Sequence, residues 1–541
     1  MLPENPSFER TALNRVTFGA RDVEVANTKT IGWEAYVEDQ LNPPAGDDDA
    51  LANHITGQTM RIHYPANESE EADKGWDEVE EDRPLNYLKA DAPTLWQVQR
   101  DAQESRTSFE EVTRMMQETT VATWMRASHA EYQIREFMAD FWNNHFNVSQ
   151  EDDKFGTGMV LSYDRDHIRP YVFGNFRDML EANATSTSML LYLDGANSQA
   201  DHPNENYGRE LLELHTLGKE SYLGVVPPLN AYDSGKGVNA PGFFDQDVIN
   251  AARAFSGWTV KDTEMLQHYQ GISDVEDTGE FIYNPEQHNT SASQFLGVDL
   301  KDMNEDMEQG RAILDIAAYH PQTAEFICNK ICVRIFGDNP PKEVVQRAKD
   351  AWLANKEQNN QLAQVMRAIL LDGPEIGEGS ADKLRRPFER IVAYMRATDM
   401  VVNAHQAMHW AQRELVDGIY IWPTPDGRPD NSAYWMSSNA LLKTLNFSLR
   451  LTGGRWTETS FYDQTPSESL GSATQIVEYW VERLVGYELS AETTDALLTD
   501  ASTSFDGVME ALNNKNDPER IESALGRLTA MIAATEEFSY R

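Results

Sequence analysis

Cysteine is nearly absent: the 541 residues include two, Cys328 and Cys332. Two such residues exclude a disulfide-rich scaffold and leave no further thiol for a zinc or iron–sulfur set. They sit in Phe326-Ile-Cys-Asn-Lys-Ile-Cys-Val, at i and i+4 of a predicted helix, on one face with Ile331 and Ile335, and read as core residues. Basic residues are scarce too. Lys and Arg number 46 against 88 Asp and Glu, a formal charge of −42. That field repels phosphate backbones and argues against duplex DNA or bulk RNA as a partner. No stretch approaches the roughly 20 apolar residues of a membrane-spanning helix. HExxH, GxSxG, Walker and GxGxxG patterns are all missing, so zincins, serine hydrolases, P-loop enzymes and dinucleotide-binding enzymes have no support. The opening Met1-Leu-Pro-Glu-Asn-Pro has no basic segment followed by an apolar one, which fits either a cytoplasmic protein or one whose signal has been removed.

What is present is an ordinary globular composition, 40% hydrophobic and 25% charged. The acids gather in Asp47-Asp48-Asp49, in 68–82 and in Glu151-Asp152-Asp153, none with the ligand spacing of an EF-hand loop. Such acidity reads as surface hydration in a salty or extracellular medium, or as attraction for cations. Apolar residues recur every three or four positions over 10–41, 108–149, 204–217, 245–255, 307–336, 342–371 and 383–400, and again over 437–450, 475–485 and after 490. Strand candidates are few, Phe281-Ile-Tyr and Ile419-Tyr-Ile-Trp. The expected fold is therefore mainly α, one large helical domain over 1–541 with long loops and at most a small β element. Within it, 66–84 reads as an acidic solvated insertion and 225–242 as a loop insertion rich in Pro and Gly.

Three stretches could carry chemistry. In Asp194-Gly-Ala-Asn-Ser-Gln-Ala-Asp-His-Pro-Asn-Glu-Asn-Tyr-Gly-Arg-Glu-Leu-Leu-Glu-Leu-His-Thr-Leu-Gly, a polar loop feeds a helix capped by Asn204 and stopped by Gly218. Asn206, Arg209, Glu210 and Glu213 share an arc of about 100°, while Tyr207, Leu211, Leu212, Leu214 and His215 fill the rest. A narrow polar stripe on a mostly buried helix either pairs, lines a cavity or faces water, and Arg209 can also neutralise Glu213 at i+4. In Phe137-Met-Ala-Asp-Phe-Trp-Asn-Asn-His-Phe-Asn-Val-Ser, His145 shares a face with Phe141 and Met138, and Asp140, Asn143 and Asn147 look the other way. Such a histidine is a hydrogen-bonded core residue, a metal ligand or a general base. In Tyr283-Asn-Pro-Glu-Gln-His-Asn-Thr, His288 is a loop base or a turn cap.

In order along the chain, these stretches resemble the bacterial domain of unknown function 1800 (DUF1800) family. The likeness runs from Leu13-Asn-Arg-Val-Thr-Phe-Gly-Ala through Phe141-Trp-Asn-Asn-His-Phe-Asn-Val-Ser, Gly174-Asn-Phe-Arg-Asp-Met-Leu and Leu193-Asp-Gly-Ala-Asn. Its most specific piece is Pro203-Asn-Glu-Asn-Tyr-Gly-Arg-Glu-Leu-Leu-Glu-Leu-His-Thr-Leu-Gly. Asp247-Val-Ile-Asn-Ala-Ala-Arg-Ala-Phe-Ser-Gly-Trp-Thr, Phe295-Leu-Gly, Pro387-Phe-Glu-Arg and Trp435-Met-Ser-Ser-Asn-Ala-Leu-Leu follow. These motifs cover about 10–452, which leaves 453–541 as a helical C-terminal extension. The resemblance implies a mostly helical, largely exported, uncharacterised protein, periplasmic or extracellular, with a partner protein encoded nearby. It singles out Asn144, His145, Asn204, Glu205, Asn206, Arg209, Glu210, Glu213, Arg253, Trp258 and His288. Two positions depart from the family pattern: Asn143 stands where a His is usual, and Asn289 where an Asp is usual.

The sequence thus supports two readings. In one, Glu210, Glu213, His145 and Arg209 are catalytic and Asn144, Asn204, Asn206, Arg253, Trp258 and His288 bind substrate. Glutamates at i and i+3 allow one raised and one ionised carboxyl, and adding the imidazole gives a set that suits a divalent metal. The reaction would be hydrolysis or metal-assisted transfer on a carbohydrate or other extracellular polymer. In the other reading, a non-catalytic surface or assembly protein uses the stripe as a structural network. If the stripe lines a cavity, Arg209 is its expected organiser and Glu210 the group with the perturbed pKa.

Overall fold

The computed structural model describes residues 2–541 apart from 70, 72–73, 150–158, 226–240, 274, 304, 379–382, 455, 504–506 and 514–516. The acidic triplet at 151–153 and nearly all of the 225–242 loop lie outside the described residues. Helix takes 60% of the residues and strand 7%, which makes the protein mainly α. Side-chain caps start the helices where short polar residues precede an apolar repeat. Ser7, Asp48, Ser108, Asn175 and Asn204 each accept a hydrogen bond from a backbone N–H of the first turn.

The elements that position the site are α1 (Phe109–His129), α2 (Gln133–His145), α3 (Glu205–Glu210), α4 (Asp245–Ala254), α5 (Pro321–Phe336) and α6 (Pro387–Ala397). Several predicted helical stretches are divided by local breakers, while 437–450 and 475–485 are single helices, Ser438–Leu451 and Ala473–Leu484. The 10–41 pattern is three helices, Phe8–Val16, Asp22–Ile31 and Trp33–Gln40, with Gly32 at φ 89° turning the last corner. The 307–336 pattern divides at Pro321, which takes the first turn of α5 behind a His320 cap. The 204–217 pattern changes character after Glu210, where the backbone becomes a π-helix over Leu211–His215.

The strands form five two-stranded sheets among the described residues. Phe281–Tyr283 pairs antiparallel with Trp258–Val260, as a strand should. Ile419 to Trp422 is not a strand: Gln412 bonds the backbone of Ile419, and Asn147 takes the Trp422 carbonyl, so both groups are committed outside any ladder. The acidic 66–84 region is partly ordered as a hairpin, Val79–Pro84 running antiparallel to Thr59–Tyr64 and facing water on most of its length.

One hydrophobic core cluster joins residues from Ala12 to Phe538, with Trp96, Trp124, Trp142, Trp258, Trp352 and Trp480 fully buried. Leu525 and Leu528 of the C-terminal helices belong to it, and Tyr394 on α6 bonds Thr529 at 2.8 Å. Cys328 and Cys332 are buried free thiols on α5, and burial pushes Cys332 up to about 12. Among the described residues no helix is long and apolar enough to cross a membrane.

Candidate functional site

The site grows from α3 and the π turn that follows it. Asn204 caps α3 by accepting from the Asn206 N–H at 2.8 Å, and its own amide donates to the Asp194 carbonyl at 3.2 Å. Asn206 donates to the Leu193 carbonyl at 3.2 Å. Both asparagines therefore clamp the 193–197 loop, whose Asp194, Ala196 and Asn197 line a cavity of about 800 Å³. Asn206 is exposed, so it does not enter a buried polar cavity as the stripe suggested: the start of α3 lies at the surface and its amide is spent on backbone. Arg209 organises the next turn. It lies 3.4 Å from Glu205, 3.5 Å from Glu213 and 3.4 Å from Asp245 on α4, with 35% of its side chain exposed.

In the π turn the ladder runs i→i+5 rather than i→i+4, which slips the face by one residue. Tyr207, Leu211, Leu212 and His215 stay buried while Glu210 and Glu213 remain half-buried. Gly218 ends the segment at φ 87°, with Phe326 packed where its Cβ would stand. The His215 carbonyl accepts from His145 Nε2 of α2 at 3.1 Å, and His145 Nδ1 accepts from Lys330 Nζ of α5 at 2.9 Å. This pair of bonds fixes the neutral tautomer with the proton on Nε2. Burial, reinforced by the Lys330 charge and by His215, holds His145 well below the usual range of a histidine. His215 itself is pushed down to about 3 by burial and then by Lys330, and among the described residues neither of its ring nitrogens has a hydrogen-bond partner. Lys330 is lowered to about 8 by burial, against the opposing pull of Asp430 and Asp426.

Glu210 carries the largest change among the acids of the stripe. Burial first, then the neighbouring Glu213 charge, raises its carboxyl to about 7; Arg209 opposes this and Asp426 adds to it. Asp426 is thus the carboxylate felt both by Glu210 and by Lys330. It is presented by the 422–428 segment, which α2 holds in place. Asn144 donates to the Arg428 carbonyl at 2.9 Å and accepts from the Arg428 N–H at 2.7 Å, and Asn147 donates to the carbonyls of Trp422 and Thr424.

The remaining expected residues have the following partners. Arg253 bonds Asn250 on its own helix at 3.3 Å. His288 Nδ1 lies 3.2 Å from the Ser256 carbonyl, and Asn289 donates from its backbone to Ser256 and from its amide to Ala200. Trp258 is buried between Phe255 and Phe281. Asn143 donates to Asp164 at 2.7 Å. Asn289 thus uses an amide donor, which the ionised Asp usual at that position cannot supply, and Asn143 donates from an amide where the family has an imidazole.

The mixed imidazole–carboxylate metal set does not assemble. Both ring nitrogens of His145 are engaged, one by an ammonium group, and the group of potential ligands found together among the described residues is His63, Glu78 and Glu80 on the exposed hairpin. Sequence reasoning missed Lys330, Asp426 and a buried ionic cluster behind α2. Asp140 pairs with Arg334, Arg386 and Arg428, the last at 2.8 Å, and Glu389 pairs with Arg334 at 2.6 Å. Against burial, the three guanidiniums hold Asp140 well below the usual carboxylate range. A wheel of α5 contained the signal: Phe326, Lys330 and Arg334 fall at i, i+4 and i+8, a cationic stripe on an apolar helix.

A family model described as "Protein of unknown function (DUF1800)" matches residues 11–540. No curated protein and no solved structure matches the chain.

Proposed function

The chain belongs to the DUF1800 family, whose description assigns no activity, and from the geometry of its Glu205–His215 segment we propose that it is a hydrolase acting on a carbohydrate or other extracellular polymer. The observation that carries this reading is the division of labour between two glutamates one turn apart. Glu210 is raised to about 7, so near neutrality it holds a proton it can release to a leaving oxygen. Glu213 lies 3.5 Å from Arg209, which orients its carboxyl to take a proton from water. The step balances as hydrolysis: Glu210 gives its proton to the leaving oxygen as the carbon–oxygen bond breaks, Glu213 takes a proton from water as the water oxygen bonds to the carbon, and passage of that proton through solvent from Glu213 to Glu210 restores both groups. His145 acts by position, since its bond to the His215 carbonyl holds the end of the π turn that carries Glu213 and directly follows Glu210. Asn204 and Asn206 bond the carbonyls of Asp194 and Leu193, and Asp194 lines the 800 Å³ cavity. An acidic surface and the family resemblance support a location outside the cytoplasm.

The test measures new reducing ends released from a panel of polysaccharides by the wild-type chain, Glu210→Gln and Glu213→Gln. Glu210→Gln should lower kcat by about 100-fold or more with an unchanged circular dichroism spectrum. A carboxyl midpoint for Glu210 near its ordinary value, read by carbon-13 NMR, would overturn the assignment, and so would full activity in the variant.

A second reading, a surface or assembly protein without catalysis, draws support from one patch. Tyr434, Met436, Leu441 and Leu442 are 52%, 65%, 42% and 57% exposed in a strongly acidic chain. Polymer cleavage that survives Met436→Glu but not Glu210→Gln separates the two.

A further inference from the structure

We propose that the cavity walled by Arg126, Arg135, Arg165 and Arg169 binds an oxyanion, the phosphoryl or carboxylate group of a small organic molecule. The cavity measures about 600 Å³ and lies between the 41–47 loop, the end of α1, the start of α2 and the 165–174 segment. A volume of that order suits a small ligand. Four guanidinium groups and one carboxylate, Asp47, line it, in a chain whose formal charge is −42. A concentration of arginine on one concave wall runs against the field of the whole molecule, and planar N–H forks are the chemistry that reads oxyanions.

The wall is built and partly unsatisfied. Arg126 grips both oxygens of Asp47, at 2.8 and 3.0 Å, so that carboxylate cannot turn to serve another partner. Arg169 is locked by Asp164 at 2.8 Å and Glu136 at 3.0 Å, both buried acids that are not part of the cavity lining. Arg165 is held by Asp166 and by the carbonyls of Leu88 and Ala90. Arg135 spends Nη1 on the carbonyls of Pro44 and Gly46 and Nε on Glu136. Its Nη2 is buried without a hydrogen-bond partner among the described residues, 4.0 Å from the nearest Asp47 oxygen, in a side chain 6% exposed. Among the described residues neither N–H of this Nη2 has an acceptor, and an oxyanion seated there supplies one. Arg169 also lines a small inner cavity of about 20 Å³ beside Asp140 and Arg428, which ties the anion cavity to the buried ionic cluster.

Titration calorimetry of the full chain with inorganic phosphate and, separately, with glucuronate tests this at fixed ionic strength balanced with chloride. Saturable one-site binding of either probe is expected. Phosphate alone assigns a phosphoryl ligand, glucuronate alone a carboxylate, and both together an oxyanion of either kind. Arg135→Gln should weaken the dissociation constant by about tenfold or more, while Arg61→Gln on the exposed hairpin should leave it unchanged. If Arg135→Gln does not fold, Arg165→Gln, at 31% exposure, decides in the same way with a smaller loss of about threefold. No saturable heat with either probe up to about 10 mM, or unchanged affinity in the arginine variants, overturns the proposal.

Discussion

Asp140 shows what a single carboxylate does when three guanidiniums converge on it. Arg334, Arg386 and Arg428 are each at most 5% exposed, and removing their common partner leaves buried cations without a counter-charge. Asp140→Ala should therefore lose about 3–5 kcal/mol of stability, measured by urea unfolding. The expected effect at Glu210 has the opposite character. Its folded-state pKa is raised from 4.5 to about 7, so the folded chain binds a proton that the unfolded chain has already released. Stability from this group is present at acid pH and is lost as pH rises from about 4.5 through 7. Glu210→Gln should accordingly raise Tm at pH 8 more than at pH 4, and an equal shift at both values would contradict the assignment. Glu210 was readable from its place on the helical stripe. Lys330 was not singled out, because its partner His145 is 185 residues away, a relation that local spacing does not contain.

Among the elements, the helices were legible in existence but not in extent. Period 3.6 survives a chain reversal, so α1 and α2 read as one run until the structure shows the break at Ala130 to Tyr132. The π turn at Leu211–His215 left no compositional trace, since an i→i+5 ladder is imposed by what packs around it. The stripe was expected to be buried throughout, but Glu205 and Asn206 at the start of α3 are exposed among the described residues. Gly218 is the residue that makes this segment possible. A Cβ there would come within 2.6 Å of the Phe326 ring at φ 87°. Gly218→Ala should cost about 2–4 kcal/mol, from the left-handed backbone together with overpacking. A thermal unfolding midpoint equal to wild type would show that the segment relaxes instead.

At the scale of the molecule, buried neutral histidines set the acid limit of stability. His145, His215 and His409 are each at most 2% exposed, and burial holds His215 near 3 and His409 near 4. Their unfolded counterparts take up protons below about 6.5, so stability falls as pH drops through that value toward the folded pKa values. Each such histidine should remove about 2 kcal/mol between pH 7 and pH 5. His215→Leu should flatten the dependence of Tm on pH over that interval, and an unaltered slope would refute this. The core that shelters these rings is also stitched across great sequence distance. Arg15 donates to the carbonyls of Glu375, Ile376 and Glu378, and Arg541 donates to the carbonyls of Arg15 and Arg334. Contacts spanning 526 residues close late, because loop-closure entropy must be met before any of them forms. Time is the quantity this feature governs: on dilution from denaturant, helical circular dichroism should return well before the native tryptophan fluorescence, with a collapsed species holding unpaired arginines and carboxylates in the interval. Simultaneous recovery of both signals would mean that the distant strands of the chain find each other as fast as its local turns do.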